Sequence, residues 1–274
     1  MSVSDRKGVW LIIVAAILWS TGGIGIKAVS NGPLEVACLR SVVAAITLFA
    51  IFRPRVPKMT RAFFVALVSY AGCLTCFVIA TKWTTAANAI FIQYSGIVWV
   101  ILLSPRLLGE KLRRSDVIAA AVAFGGMALF FAGDVDVRGM AGNFVALISS
   151  FFFAGVYLGL RLERDNGAEA AVTWGNVLAV GALAPFALPG IEVSPKSAAV
   201  LVFLGVFQIA VPYALFVRGL KSVPAVQASL LGMIEPITNP IWVLLFLGER
   251  PSGHAIVGGG IVLAAVGWRT MRRT

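Results

Sequence analysis

Ten charge-poor apolar stretches follow one another along the chain, at 8–28, 34–52, 61–81, 85–104, 115–133, 142–161, 168–188, 197–218, 225–247 and 253–269. Each has about the length that a helix needs to cross a bilayer. Lipid offers no water to backbone N–H and C=O groups, so stretches of this kind are buried there as helices. Turn signals separate them: Asn31-Gly32-Pro33, Arg53-Pro54-Arg55-Val56-Pro57, Pro105, Pro189-Gly190, Pro224 and Pro251. The connections are too short to hold a soluble domain. Composition agrees: 59% of residues are hydrophobic and 13% charged, where a soluble domain carries about 25% charged residues. So few charges cannot cover a water-facing surface, and lipid must meet most of the exterior. Arg6 and Lys7 before the run at Gly8 look like the start of a signal peptide, but Gly8 to Ile26 is 19 residues without a charge. That is longer than a typical h-region, so the sequence predicts a retained first helix.

The chain has 23 Lys and Arg against 12 Asp and Glu. No segment concentrates them with stacking aromatics, which argues against nucleic acid as a partner. Ten spans put both termini on one side. Seventeen basic residues then fall on the side of the N-terminus and five on the other, with Arg40 inside a span. The positive-inside rule places both termini in the cytoplasm of a multi-pass protein of the inner or plasma membrane. The three cysteines, Cys38, Cys73 and Cys76, all lie in apolar runs and read as packing residues. Cys73 and Cys76 have the C-x-x-C spacing without the strand-to-helix setting of a redox motif.

An internal repeat organises the spans. Gly109-Glu110-Lys111 and Gly248-Glu249-Arg250 stand 139 residues apart, and at that offset Lys82, Ala86, Asn88 and Ala89 fall on Lys221, Ala225, Gln227 and Ala228. Gly8 and Lys27 fall on Gly142 and Arg161 at an offset of 134. The fold class expected is therefore an all-α membrane protein of ten transmembrane helices, built as two five-helix repeats over 1–138 and 139–274. Five is odd, so the second copy enters the membrane inverted, and the loop charges obey. The loop at 106–114 holds four basic residues where its counterpart holds Arg250, and the loop at 53–61 holds four where its counterpart holds Lys196. Inverted repeats are the architecture of alternating access, with a site at the bilayer midplane between the copies.

Particular motifs add a family. Trp19 in the first span, Arg40 in the second, Ile90-Phe91-Ile92-Gln93-Tyr94 leading to Trp99 and Gly109-Glu110, and Ile234-Glu235-Pro236 with Asn239-Pro240 before Leu247-Gly248-Glu249 resemble the EamA family of the drug/metabolite transporter superfamily over essentially the whole chain. The resemblance implies a secondary transporter of amino acids, their analogues or related amphiphiles. One departure stands out: Ile97 follows Gly96 where members often carry proline.

Ionisable groups near the bilayer centre cost about 2.5 to 3.5 kcal/mol on insertion scales and normally face a cavity with a partner. Two such groups occur. Glu235 lies ten residues into its span and is followed by Pro236, which breaks the helix; Arg40 lies about seven residues from the outer end of its own. Three readings of Glu235 are open: a substrate or proton site, a structural pair with Arg40, or a neutral hydrogen-bonded acid. Trp19, Tyr70, Gln93, Tyr94, Gln208 and Asn239 count to the same depth and suit a pocket for an amphipathic solute. Trp99, Tyr157, Trp174 and Tyr213 count nearer the cytoplasmic half, as an inner vestibule. Lys27 and Lys82 are expected to snorkel at helix ends, Glu110 and Glu249 to cap turns, and Gly155, Gly159 and Gly258 to Gly260 to mark close helix contacts.

No nucleophile with its base, phosphate loop, zinc spacing or carboxylate pair occurs, so neither an enzyme nor a cofactor or metal is expected. The expected partners are the bilayer, a small-molecule substrate and protons as a coupling ion, in a monomer or homodimer. Two rival functions share the fold: a nucleotide-sugar or sugar-phosphate carrier, which needs several cavity cations where only Arg40 is on offer, and a membrane scaffold or lipid-handling protein that does not transport.

Overall fold

The computed structural model describes residues 3–55, 58–132, 139–247 and 253–271, with side chains at all of these except 3, 4, 239, 240, 243, 244, 246 and 247. Every regular element among the described residues is helical. α1 (Val3–Trp19) and α2 (Gly22–Ala28) form one broken span, followed by α3 (Pro33–Phe52) and α4 (Arg61–Trp83). A second broken span is α5 (Ala86–Tyr94) with α6 (Gly96–Leu108), and α7 (Arg114–Phe130) comes next. Beyond residue 139 come α8 (Met140–Leu162) and α9 (Ala168–Ala187), then α10 (Pro195–Phe203), which runs through a π-helical segment (Leu204–Ala210) into α11 (Val211–Gly219). α12 (Ala225–Gly232), α13 (Ile234–Leu247) and α14 (Gly253–Met271) complete the described chain.

Eight of these helical runs are long and apolar enough to cross a membrane: Asp5–Ala28, Pro33–Phe52, Arg61–Trp83, Ala86–Leu108, Met140–Leu162, Ala168–Ala187, Pro195–Gly219 and Gly253–Met271. The two remaining windows of the sequence reading hold α7, which has 17 residues, and the pair α12 and α13, which is interrupted at Met233. The outward surface is apolar, with Trp10, Ile46, Phe64, Phe144, Phe186 and Leu245 all more than half exposed, as a lipid-facing surface requires.

The helices interlock across the chain. α4 packs along α8, α7 along α14, α3 along α9 and α1 along α11. Small residues set the closest approaches. A Cβ on Gly126 would stand 2.9 Å from the Gly258 carbonyl oxygen, and one on Gly258 would meet the backbone of Gly126 and Phe130, so α7 and α14 touch along their backbones. Gly155 and Gly159 of α8 abut Ser69 and Ala66 of α4 in the expected way, whereas Gly260 faces open space.

Polar contacts tie each end of the bundle. At one end Glu110 accepts from Arg161 Nε at 2.7 Å and from the backbone N–H of Ala225 at 2.9 Å, while Arg161 also donates to the Leu220 carbonyl. Arg269 donates to Asp116 at the same end. Glu110 thus holds Ser104 near the end of its own α6 and also caps the first residue of α12, where a helix N-terminus favours an acid. Glu249 lies outside the described residues. At the other end Lys27 donates to the Thr84 carbonyl at 2.8 Å and Lys82 to the Val29 carbonyl. These lysines do not simply snorkel; each closes the open C-terminus of the other's span.

Candidate functional site

Seven elements converge on one small internal cavity. It is lined by Trp19 of α1, Cys73, Leu74 and Phe77 of α4, Gln93 of α5, Phe153, Val156 and Tyr157 of α8, Gln208 of the π segment, Tyr213 of α11 and Glu235 of α13. Three local irregularities aim polar groups into it. α1 ends at Trp19, where Ser20 and Thr21 turn their hydroxyls back onto the Ile17 and Leu18 carbonyls. Pro212 has no N–H for the Gln208 carbonyl, and the Val211 N–H reaches back to Val206, which makes the π turn that carries Gln208. Pro236 likewise leaves the Gly232 carbonyl without its helical donor, and the Tyr94 hydroxyl lies 2.6 Å from it.

Glu235 is 8% exposed, and its carboxyl lies 2.9 Å from the same Tyr94 hydroxyl. Arg40 is fully buried and donates to Gln208 Oε1 at 3.1 Å and to the Leu74 carbonyl at 2.8 Å. Among the described residues no ion pair joins Arg40 to Glu235. Arg40 instead fixes the amide of Gln208, so the cavity meets a neutral group with a cation behind it. Gln93 donates to Ser149 at 2.6 Å. Trp19 packs on Tyr213 at a centroid distance of 4.9 Å and on Phe216 at 5.1 Å, and Tyr157 on Phe153 at 4.7 Å. Two donors on this aromatic wall, Trp19 Nε1 and the Tyr157 hydroxyl, are buried without a hydrogen-bond partner among the described residues.

The structure therefore gathers Trp19, Gln93, Gln208, Tyr213 and Glu235 around one cavity, with Tyr94 bonded to Glu235 and Arg40 one residue removed. Tyr70 does not line it; it supports Tyr213 at 4.6 Å and accepts from Asn176. Trp99 is not brought to the site: it is 37% exposed and packs on Phe151. Trp174 packs on Phe49. The Asn239 side chain lies outside the described residues. Tyr157 and Tyr213, expected in a vestibule, line the central cavity, and Cys73, expected to be packing, lines it too.

The cavity holds about 40 Å³. That volume admits water, which needs about 10–15 Å³, but not an organic solute, whose pockets measure roughly 300–1,000 Å³. As seen here, the site is closed to a solute of that size. A larger basin of about 500 Å³ opens at the Glu110 end and is lined by Lys111, Asp116, Arg161 and Arg269 among others.

Long apolar helices enclosing a buried polar chamber define a multi-span membrane protein. A family model for the EamA-like transporter family matches residues 6–132 and again 140–269, so the chain belongs to that family and is a transporter of that type. An uncharacterized transporter of Archaeoglobus fulgidus is 26% identical over 96% of this chain and 97% of its own length. A probable terminal-alkyne amino-acid exporter of Streptantibioticus cattleyicolor is 23% identical over 95% of this chain and 92% of its own. A solved crystal structure superposes with a TM-score of 0.82 at 16% identity, covering 98% of this chain and 100% of that one, a likeness of fold.

Proposed function

We propose that the chain is a ten-span secondary transporter of two inverted five-helix repeats, 1–138 and 139–274, which carries a small amphiphilic metabolite of the amino-acid class by alternating access. The observation that carries this reading is the closed central cavity, where Glu235 and the unpaired donors of Trp19 and Tyr157 meet. A carboxyl beside two spare donors and an aromatic wall matches a solute with a cationic head, acceptor oxygens and an apolar body. The Streptantibioticus relative, a probable terminal-alkyne amino-acid exporter, speaks for the same class.

Two repeats are supported by the doubled family match and by the packing. Shifting each span by five turns α4 against α8 into α11 against α1, and α4 against α9 into the π segment against α3, and both members of each pair are in contact. α5 and α12 begin at Ala86 and Ala225, the offset found in the sequence, and both break within nine residues. Contacts among residues 104–116, 161, 220–225 and 269 at one end, and among 27–31, 82–88, 143 and 192 at the other, agree with the charge-based sidedness and cytoplasmic termini in the inner or plasma membrane. Glu235 is the coupling or recognition group in this reading. Exchange of a labelled amino-acid panel in proteoliposomes tests it: wild type transports with a rate that follows the pH gradient, and Glu235→Ala removes both. Unchanged uptake and pH dependence in the variant would end Glu235's role.

A further inference from the structure

We propose that in this closed conformation Glu235 carries a proton that it donates to Tyr94, and that Tyr94 is the positioning residue through which the charge on Glu235 holds or frees the break between α12 and α13. The proposal rests on the carrier reading above and adds to it the chemical state of the closed site.

The Tyr94 hydroxyl lies 2.6 Å from the Gly232 carbonyl oxygen and 2.9 Å from Glu235 Oε2. A phenol has one O–H, a carbonyl only accepts, and an ionised carboxylate only accepts. With Glu235 ionised, one hydrogen serves two acceptors and one of the two contacts is a meeting of lone pairs. With a proton on Oε2, Glu235 donates to Tyr94 and Tyr94 donates to Gly232, so each contact has its hydrogen. The shorter contact, to Gly232, is where the phenol hydrogen then points. Gly232 needs that donor because Pro236 supplies none. A Cβ at position 232 would come 2.5 Å from the Tyr157 hydroxyl and 3.4 Å from that of Tyr94, so a larger residue there would push on both phenols.

Among the described residues nothing charged competes for the acid. The titratable groups around it are Tyr94 of α5, Cys73 of α4, Tyr157 of α8 and Tyr213 of α11. Of the elements packed on α13, α2 has its Lys27 at the far end bonded to Thr84, and α1 and α14 bear their described charged or titratable residues, Asp5, Arg6, Lys7, His254 and Arg269, near their ends. Arg40 of α3 is spent on Gln208 and Leu74. When the proton leaves to water, the Tyr94 hydroxyl turns its one hydrogen from the Gly232 carbonyl to the carboxylate, and that carbonyl loses its donor. Tyr94 then no longer ties α5 to the end of α12.

Infrared difference spectra of the purified full chain in lipid nanodiscs at neutral pH test this, with proton-driven exchange in proteoliposomes measured alongside. Wild type is expected to show a carboxylic-acid C=O band that Glu235→Gln removes and that Tyr94→Phe moves to higher wavenumber, because the acid has lost its acceptor. Glu235→Asp, with its displaced band, serves if the Gln variant does not fold. No band sensitive to position 235, or a band that Tyr94→Phe leaves in place, overturns the proposal. The band without any driven exchange keeps the proton assignment and defeats the carrier reading; exchange without the band does the reverse.

Discussion

A buried donor without a partner costs about 1–3 kcal/mol, so the Tyr157 hydroxyl and the Trp19 indole N–H ask for an explanation in the closed site. A substrate acceptor supplies one. Tyr157→Phe deletes the hydroxyl and nothing that it bonds within the protein. The account predicts a Tm that rises or at least does not fall, and a KM for the transported amino acid about three- to tenfold higher, the worth of one hydrogen bond. A lower Tm with unchanged KM would assign the hydroxyl to structure. Polarity and depth made most of this site legible in the sequence: Glu235, Gln93, Gln208 and Trp19 are polar or aromatic groups at mid-span, and all line the cavity. Depth was misjudged for Tyr157 because helical side chains lean toward the N-terminus, which lifts this hydroxyl about a turn back toward the midplane. Trp99, expected in the vestibule, instead turns outward onto Phe151. α6 is apolar on every side up to Ser104, so no polar stripe in the sequence tells which face looks inward.

At the scale of elements, proline marks two of the irregularities and not the others. Pro212 and Pro236 announce the π segment and the α12–α13 break through the carbonyls that they leave unserved. The break between α5 and α6 occurs although Ile97 replaces proline. Ser95 makes it instead, its hydroxyl donating to the Ile92 carbonyl at 2.6 Å, next to a Gly96 that lies against the Ser150 backbone. The pairing of α7 with α14 was equally hidden, since a run of glycines at 258–260 does not say which one meets a neighbour. The structure makes the difference testable. Gly258→Ala forces two backbones apart and should lower stability by about 1–3 kcal/mol, whereas Gly260→Ala, with nothing within 4 Å, should not. Thermal unfolding in one detergent compares the two; equal Tm values would refute the contact.

For the whole molecule, the hydropathy pattern made the all-helical, multi-span class legible, because lipid removes nearly every alternative to the spanning helix. What the sequence could not carry is the conformation. A cavity of about 40 Å³ is closed to solute, and a carrier must open it to each side in turn. Cys73 is a native reporter, because it lines that cavity while Cys38 and Cys76 do not. With Cys38 and Cys76 replaced, a membrane-impermeant maleimide is applied to right-side-out and to inside-out vesicles of the active protein. The account predicts that Cys73 is labelled from both sides, with transported substrate slowing each reaction. Labelling from one side only, or from neither, in a protein that still transports would contradict it.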